Sequence, residues 1–319
     1  MKWNTRVTDL LDIAYPIVQG GLAHLAYSDL AAAVSNAGGL GQITAMSLEN
    51  EDQLRNEIRR MKTLTSKPFG VNFAIGQHNR PFKNMVNVAI EEEVPVISVT
   101  GGNPKGVLDM VKGTNIKKLV LVAAKRQAKK AEELGADAVM VVGQEGGGHL
   151  GRSDTGTMVL TPQVVRHISI PVIASGGIVD GRGMMAAMAL GAEGIEMGTR
   201  FITTKECVDA HPSYKQAIID ADENSTVVIK RTIGAPARAL RNTWTDKILD
   251  IEKEGAGYES LKDYISGAAN KQYIYEGKEH EGFGWAGQGV AGIHDIPSVE
   301  ELIQRIIHEA EMVRNKWSK

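Results

Sequence analysis

The sequence predicts an α/β protein: a (β/α)8 TIM barrel with an inserted, mainly helical subdomain between its eighth strand and its last helix. Three observations lead to this fold class. Short apolar segments recur eight times, amphipathic segments long enough for a helix separate most of them, and a long charged segment follows the eighth. Continuous apolar runs are typical of parallel strands covered on both faces, and eight such units in about 200 residues fit a closed barrel better than an open doubly wound sheet.

The predicted strands follow one another along the chain and mostly end at glycine or a polar residue. They cover residues 13–19, 39–44, 69–74, 94–100, 118–123, 138–143, 171–175 and 194–198. Predicted helices cover residues 47–63, 125–134, 180–190 and 298–317. Ser47 is the expected N-cap of the first of these helices, because an acidic first turn follows it.

The segment after the eighth strand differs in character from the barrel. It is more charged, and it ends in the glycine-rich run GFGWAGQGVAGI, which is unsuited to a helix or a regular strand interior. We therefore expect a barrel formed by residues 1–203 and 293–319. Residues 204–292 would form an inserted subdomain that caps the substrate site and returns its glycine loop to the barrel mouth.

Composition excludes several classes of protein. The 319 residues include 36 basic and 38 acidic side chains, and the resulting net charge of -2 argues against nucleic-acid binding through phosphate neutralisation. The single cysteine, Cys207, cannot form an intrachain disulfide, so a reducing compartment is the simpler interpretation. The sequence has no apolar run of about 18 residues and no apolar stretch typical of a secretion signal near its start. A cytoplasmic protein with no membrane partner is expected.

Glycine-rich turns after the strands predict a ligand site at the barrel mouth. Two of them follow the last two strands: Ser175, Gly176 and Gly177 after the seventh, and Met197, Gly198 and Thr199 at the eighth. Barrel enzymes often bind phosphate with these two loops and a helix N-terminus. The sequence therefore predicts the phosphate of a mononucleotide cofactor or of a phosphorylated metabolite, with a large flat ligand across the mouth. The helix that begins at Asp180 is expected to contribute to that phosphate site.

Two polar side chains are candidates for the chemistry. His149 lies in a run of glycines after the sixth strand, where an imidazole can donate a hydrogen bond or accept a proton near neutral pH; the alternative is an exposed loop histidine. Lys125 begins the helix after the fifth strand and could contact a cofactor, or be a solvated helix charge. No metal site is expected, because no histidine pair has useful spacing and the cysteine has no CxxC partner. A Gly-x-Ser-x-Gly elbow is also absent from the sequence, which argues against serine hydrolysis.

Longer segments resemble an FMN-dependent barrel family that includes nitronate monooxygenase (2-nitropropane dioxygenase) and the flavin-type enoyl-acyl-carrier-protein reductase. The matching segments are YPIVQGGLAHLAYSDLAAAVSNAGGLGQI, KPFGVNFA, AKKAEELGADAVMVVGQEGGGHLG, IPVIASGGIVDGRGMMAAMALGAEGIEMGTRF and WAGQGVAG. The resemblance covers most of the barrel and both ends of the insertion, and it implies a bound FMN.

The resemblance also implies roles for individual residues. His149 matches the catalytic histidine of the family. The expected FMN-binding residues are Gly20, Gly21, Asn72, Lys125, Gly147, Gly148, Ser175, Gly176, Gly177, Met197, Gly198, Thr199 and Gln288. The first two glycines would lie against the flavin ring and Asn72 would bind its polar edge, whereas the turns after strands seven and eight would hold the phosphate.

The resemblance leaves more than one activity open. As a nitronate monooxygenase, the protein would take an alkyl nitronate and O2 and give a carbonyl compound and nitrite. As a reductase, it would use NAD(P)H to reduce an enoyl-acyl-carrier-protein or a quinone; a flavin-binding protein without activity is a third reading. The related enoyl reductases carry aromatic residues and histidine where this chain has residues 232–236, which favours the monooxygenase. A homodimer is compatible with each reading.

Overall fold

A computed structural model describes residues 3–76, 81–255 and 257–317. The strands in these ranges are β1 Ile17–Gln19, β2 Gly41–Thr44, β3 Phe69–Ala74, β4 Val96–Thr100, β5 Lys117–Val122, β6 Ala138–Val142, β7 Gly148–His149, β8 Val172–Ser175, β9 Gly194–Met197, β10 Thr226–Ile229 and β11 Ala237–Leu240. Eight of them form a parallel sheet in the order β1-β9-β8-β6-β5-β4-β3-β2.

This parallel sheet closes on itself, which confirms the predicted barrel. The closing contact joins β1 to the residue before β2: the Gln19 N–H donates to the Leu40 carbonyl and the Leu40 N–H donates to the Ile17 carbonyl, both at 2.9 Å. The first strand is shorter than predicted and begins at Ile17. The residues before it are in a turn, where the Ile13 N–H donates back to the Thr8 carbonyl and the Tyr15 N–H donates to Gly38.

Helices separate most of the barrel strands. In chain order they are α1 Arg6–Leu11, α2 Ser28–Asn36, α3 Glu51–Leu64, α4 Lys83–Glu91, α5 Lys105–Met110, α6 Lys125–Glu133, α7 Thr157–Val165, α8 Gly181–Ala189, α9 Thr199–Ile202, α10 Pro212–Ile219, α11 Thr243–Lys253, α12 Tyr258–Leu261, α13 Gly267–Ile274 and α14 Val299–Trp317, with 3-10 turns at Ala45–Ser47 and Gln288–Gly292. No helix in the described part of the chain combines the length and apolarity that a membrane span requires.

The predicted N-cap of the third helix is wrong. Ser47 ends a 3-10 turn, and its hydroxyl accepts a hydrogen bond from the His24 N–H at 2.8 Å instead of capping a helix. Asn50 is the N-cap, and its side chain accepts from the Gln53 N–H. The helix therefore begins three residues later than the Ser47 prediction places it.

The last helix, α14, packs against α8 and completes the outer layer of the barrel. The two backbones approach so closely that a Cβ at Gly181 would lie 2.3 Å from the Ile306 carbonyl oxygen. The apolar face of α14 is buried, and Ile303 is inaccessible to solvent. This arrangement agrees with the prediction that the amphipathic segment 298–317 is the last barrel helix.

The segment between β9 and α14 contains a strand pair that the sequence interpretation leaves out. In its described part, β10 and β11 form an antiparallel hairpin beside the helices α10 to α13. Strand β11 also pairs with β7, so that Ala237 lies opposite His149 and Arg238 opposite Gly148. The expected mainly helical subdomain is therefore helices plus a hairpin, and this hairpin reaches the loop that contains His149.

Candidate active site

The ends of β1 and β3 meet at one side of the barrel mouth. A Cβ at Gly21 would lie 2.4 Å from Oδ1 and 2.5 Å from Cγ of Asn72. Any residue larger than glycine would therefore displace the Asn72 amide. The amide is itself fixed, because Asn72 is buried and its Nδ2 donates to the Ser98 hydroxyl of β4 at 2.8 Å. The backbone after β1 therefore lies directly against a rigid polar side chain.

A buried carboxyl joins the end of β1 to the ends of β8 and β9. Glu196 lies in β9 and is 6% exposed, and a Cβ at Gly20 would lie 3.1 Å from its Oε1. Burial raises the pKa of Glu196 to about 7, although a hydrogen bond from Ser175 opposes the rise. The Gly20 N–H donates to the Met197 carbonyl at 2.9 Å. This carboxyl therefore keeps its proton to a higher pH than an exposed glutamate does.

The turn after β8 presents backbone to the mouth. Gly176 and Gly177 have φ of 94° and 77°, a left-handed backbone that side-chain-bearing residues rarely adopt. Their N–H groups donate to no acceptor among the described residues. Backbone N–H groups in such a glycine turn are suited to a phosphate.

The helix after that turn does not contribute as predicted. The side chain of Asp180 caps α8 by accepting from the Gly183 N–H, and Glu309 of α14 accepts from the Gly181 N–H at 2.9 Å. Carboxylates of this chain thus occupy the N-terminus of α8, and an anion there would meet negative charge.

The loop after β6 is held in place by Glu145. Its carboxylate accepts from the backbone N–H of Thr157 at 2.8 Å and from the Thr157 hydroxyl at 3.0 Å, so it caps the start of α7. Acidic groups stabilise helix N-termini in this way. The loop consequently lies close to the neighbouring turn, where a Cβ at Gly176 would be 3.0 Å from the Gly146 nitrogen.

The glycine loop at the end of the insertion returns to the mouth, as the sequence predicts. The Gly287 N–H donates to the Thr199 hydroxyl oxygen at 2.9 Å, and the Gln288 N–H donates to the Glu145 carbonyl at 2.8 Å. A Cβ at Gly147 would lie 2.7 Å from the Gly287 nitrogen. The returning loop therefore touches both the loop after β6 and the start of α9.

His149 lies beside a lysine and a tryptophan from the insertion. Lys230 Nζ is 3.0 Å from His149 Nε2 and 5.4 Å from the centroid of the Trp285 ring. The imidazole and indole centroids are 5.8 Å apart with the rings inclined at 44°. Burial lowers the pKa of Lys230 to about 8, although Glu252 opposes the shift. An exposed imidazole thus contacts a cation that is largely withdrawn from solvent.

The structure brings most of the predicted site residues into one connected arc, and it leaves one apart. Contacts that run partly through Glu196, Glu145, Gly146 and Gly287 link these predicted residues: Asn72, Gly21, Gly20, Met197, Ser175, Gly176, Gly147, Gln288 and Thr199. Gly177, Gly148, Gly198 and His149 are adjacent to them in the chain. Lys125 is exposed at the start of α6, and no hydrogen bond or ion pair joins it to another described residue.

Sequence reasoning missed three side chains at this site: Glu196, Lys230 and Trp285. The first had a signal, since it is a lone charge in an apolar strand segment. The other two are brought to His149 by the hairpin and the glycine loop, for which the local sequence has no signature. Among the described residues, no group of His, Cys, Asp or Glu side chains is arranged to hold a metal ion.

Comparisons with known proteins cover nearly the whole chain. A family model described as nitronate monooxygenase matches residues 4–80 and 73–309. A probable nitronate monooxygenase of Staphylococcus saprophyticus is 34% identical, and the match covers 99% of this chain and 100% of the relative. Among solved structures, FabK from Thermotoga maritima is 41% identical with a TM-score of 0.92, covering 98% of both chains. A nitroalkane oxidase from Streptomyces ansochromogenes is 27% identical with a TM-score of 0.84, covering 98% of this chain and 99% of that one.

Proposed function

Because the chain belongs to the nitronate monooxygenase family of oxidoreductases, we propose that it uses FMN and O2 to oxidise alkyl nitronates to a carbonyl compound and nitrite. The observation that supports this most directly is the arc of contacts at the mouth. It places the exposed imidazole of His149 within the same connected set of loops as the glycine turns after β1, β8 and β9.

The residues at the mouth fit an FMN. The close approach of Gly21 to Asn72 leaves bare backbone that a flat ring can cover, and the backbone N–H groups of the Gly176–Gly177 turn suit a phosphate. We propose that the FMN-binding residues are Gly20, Gly21, Asn72, Lys125, Gly147, Gly148, Ser175, Gly176, Gly177, Met197, Gly198, Thr199 and Gln288. When bound, FMN would supply the electron transfer between the substrate and O2.

The protein's own part is to bind and orient the substrate. His149 would hydrogen-bond a nitro oxygen of the nitronate or handle its proton. The neighbouring Lys230 ammonium favours a negatively charged substrate group at this position. Residues 204–292 would cap the site, because Trp285 and the hairpin both contact the imidazole and the loop on which it lies.

A second candidate is the NAD(P)H-dependent reduction of an enoyl-acyl-carrier-protein or a quinone. The 41% identity to FabK from Thermotoga maritima favours it, since it exceeds the 34% identity to the staphylococcal relative. The same mouth residues would serve both reactions. The relatives and structural neighbours of this chain are oxidoreductases, which argues against the third interpretation, a flavin-binding protein without activity.

The test is to mix the purified yellow protein, without oxygen, with ethyl or propyl nitronate and separately with NADH and NADPH. Bleaching of the flavin absorbance by nitronate, with nitrite released when O2 is admitted, would support the monooxygenase. Bleaching by a pyridine nucleotide with no response to nitronate would overturn it in favour of the reductase. Replacing His149 with alanine, which removes both a proton carrier and a hydrogen-bond donor, should leave FMN bound and slow turnover at least about 100-fold; unchanged turnover would remove His149 from the mechanism.

A further inference from the structure

Lys230 is held in place by its backbone as well as by burial. Its φ of 66° is left-handed, which is uncommon for a residue with a side chain. Glu252 of α11 fixes this conformation: one carboxylate oxygen accepts from the Lys230 N–H at 2.9 Å, and the other accepts from the Thr232 N–H at 2.9 Å. The side chain that leaves this turn is 7% exposed. Its direction is therefore determined before any ligand arrives.

The contact between Lys230 and His149 has only one consistent protonation pattern while the lysine is charged. An ammonium group has three donors and no acceptor, so His149 Nε2 must accept from Nζ across the 3.0 Å contact. A neutral imidazole that accepts at Nε2 carries its proton on Nδ1. A doubly protonated imidazole would place two cations in contact, which like-charge repulsion disfavours.

Other charged groups on the described elements near this pair have partners of their own. Arg231, on the same turn, pairs with Asp154 of the loop after β7 at 3.0 Å. Arg238 of β11 donates through Nε to the Gln144 carbonyl. The Glu252 carboxylate is engaged by backbone N–H groups, and its charge helps to keep Lys230 protonated against the effect of burial.

We propose that Lys230 is a positioning residue that holds His149 as the neutral, Nδ1-protonated imidazole, so that His149 acts as a hydrogen-bond donor and not as a base. The lone pair that a base would use is engaged by the ammonium. The consequence for the substrate rests on the proposed function: the site takes a nitronate that arrives already as an anion, and it does not deprotonate a neutral nitroalkane.

The proposal is tested by the protonation state of His149 in the FMN-loaded protein. Long-range 1H–15N NMR distinguishes protonated from unprotonated ring nitrogens, and loss of one set of signals in His149→Gln assigns them. We expect a protonated Nδ1 and an unprotonated Nε2 near pH 7, where the Lys230 ammonium still carries its charge. In Lys230→Met, a side chain of similar length without charge, His149 should become doubly protonated at a higher pH than in the unaltered protein, because the neighbouring cation is gone. Lys230→Arg keeps a cation and should behave as the unaltered protein.

Two NMR results would overturn the proposal: a protonated Nε2 in the unaltered protein, or the same titration of His149 in Lys230→Met. The first needs no variant, so it decides the matter even if Lys230→Met does not fold. Kinetics supply a second readout. With nitronate, kcat/KM should fall about 10-fold or more in Lys230→Met and recover in Lys230→Arg, while oxidation of added neutral nitroalkane should be limited by its spontaneous ionisation.

The two proposals fail in different ways. A protein that ignores nitronate but shows the expected imidazole state would refute the monooxygenase and leave the role of Lys230 intact. A protein that oxidises nitronate with His149 protonated at Nε2, or that accelerates the ionisation of nitroalkane, would refute the role of Lys230 and leave the monooxygenase intact.

Discussion

Replacing Glu196 with glutamine should stabilise the fold at alkaline pH and change little at acidic pH. Burial raises the pKa of this carboxyl from 4.5 to about 7 in the folded protein. The folded state therefore holds the proton more tightly than the unfolded chain does. The resulting stability is fully present below pH 4.5 and is lost as the pH rises through 7, where a charge must be kept in the barrel.

The size of the effect follows from the shift. A difference of about 2.5 pH units, at about 1.36 kcal/mol for each, is a loss of about 3 kcal/mol at high pH. The Glu196→Gln variant avoids it, because an amide of the same shape carries no charge and can still accept from the Ser175 hydroxyl. Its free energy of unfolding should exceed that of the unaltered protein by about 3 kcal/mol near pH 8.5 and by well under 1 kcal/mol near pH 4.5.

Urea denaturation followed by circular dichroism, at several pH values across this range, measures the difference directly. Glu223→Gln, which removes an exposed carboxyl, is the matched control and should give a difference that does not depend on pH. If the stabilities of Glu196→Gln and the unaltered protein run parallel from acid to alkaline pH, the carboxyl is not held in the environment that the structure shows.

Two further variants test the contacts at the mouth. Gly21→Ala places a Cβ 2.4 Å from the fixed Asn72 amide, and an overpacking cost of about 1–3 kcal/mol would weaken FMN binding about 5- to 150-fold in a flavin fluorescence titration. Gly257→Ala, whose Cβ meets nothing within 4 Å, is the control, and equal affinities in the two variants would contradict the reasoning. Glu145→Ala removes the acceptor for Thr157 at the start of α7 and should lower the free energy of unfolding by about 1–2 kcal/mol in urea, with a smaller loss in Glu145→Gln. An alanine variant as stable as the unaltered protein would show that this cap is dispensable.

Much of the barrel could be predicted from sequence because its signals are local. Each buried strand is a short apolar run, and helices such as α6 and α14 have their own periodicity. Apart from the start of β1, the bounds of these strands and of these two helices agree with expectation within a residue or two. Ser47 shows the limit of local signals. Either Ser47 or Asn50 can cap a helix, and the choice is made by the His24 N–H, which comes from a distant loop and takes the serine hydroxyl.

The same distinction between local and long-range signals applies to the candidate site. Glycine turns at strand ends are visible in the sequence, and so is the histidine among them. What could not be predicted is the surroundings of His149, because β11 and Lys230 reach it only through a pairing between distant segments. The environment of Glu196 depends on strand register, which places it opposite Ser175 and Val18. A lone charge in the sequence does not specify that neighbourhood.

The pairing of β7 with β11 has a consequence for biosynthesis. His149 leaves the ribosome long before Ala237, its partner in the ladder, and longer still before Trp285. A nascent chain that has emerged as far as the end of β9 contains every strand of the parallel sheet. It does not yet contain β11, which pairs with the strand of His149. Contacts between distant segments form slowly. The surroundings of His149 can therefore be completed only after Trp285 has been synthesised.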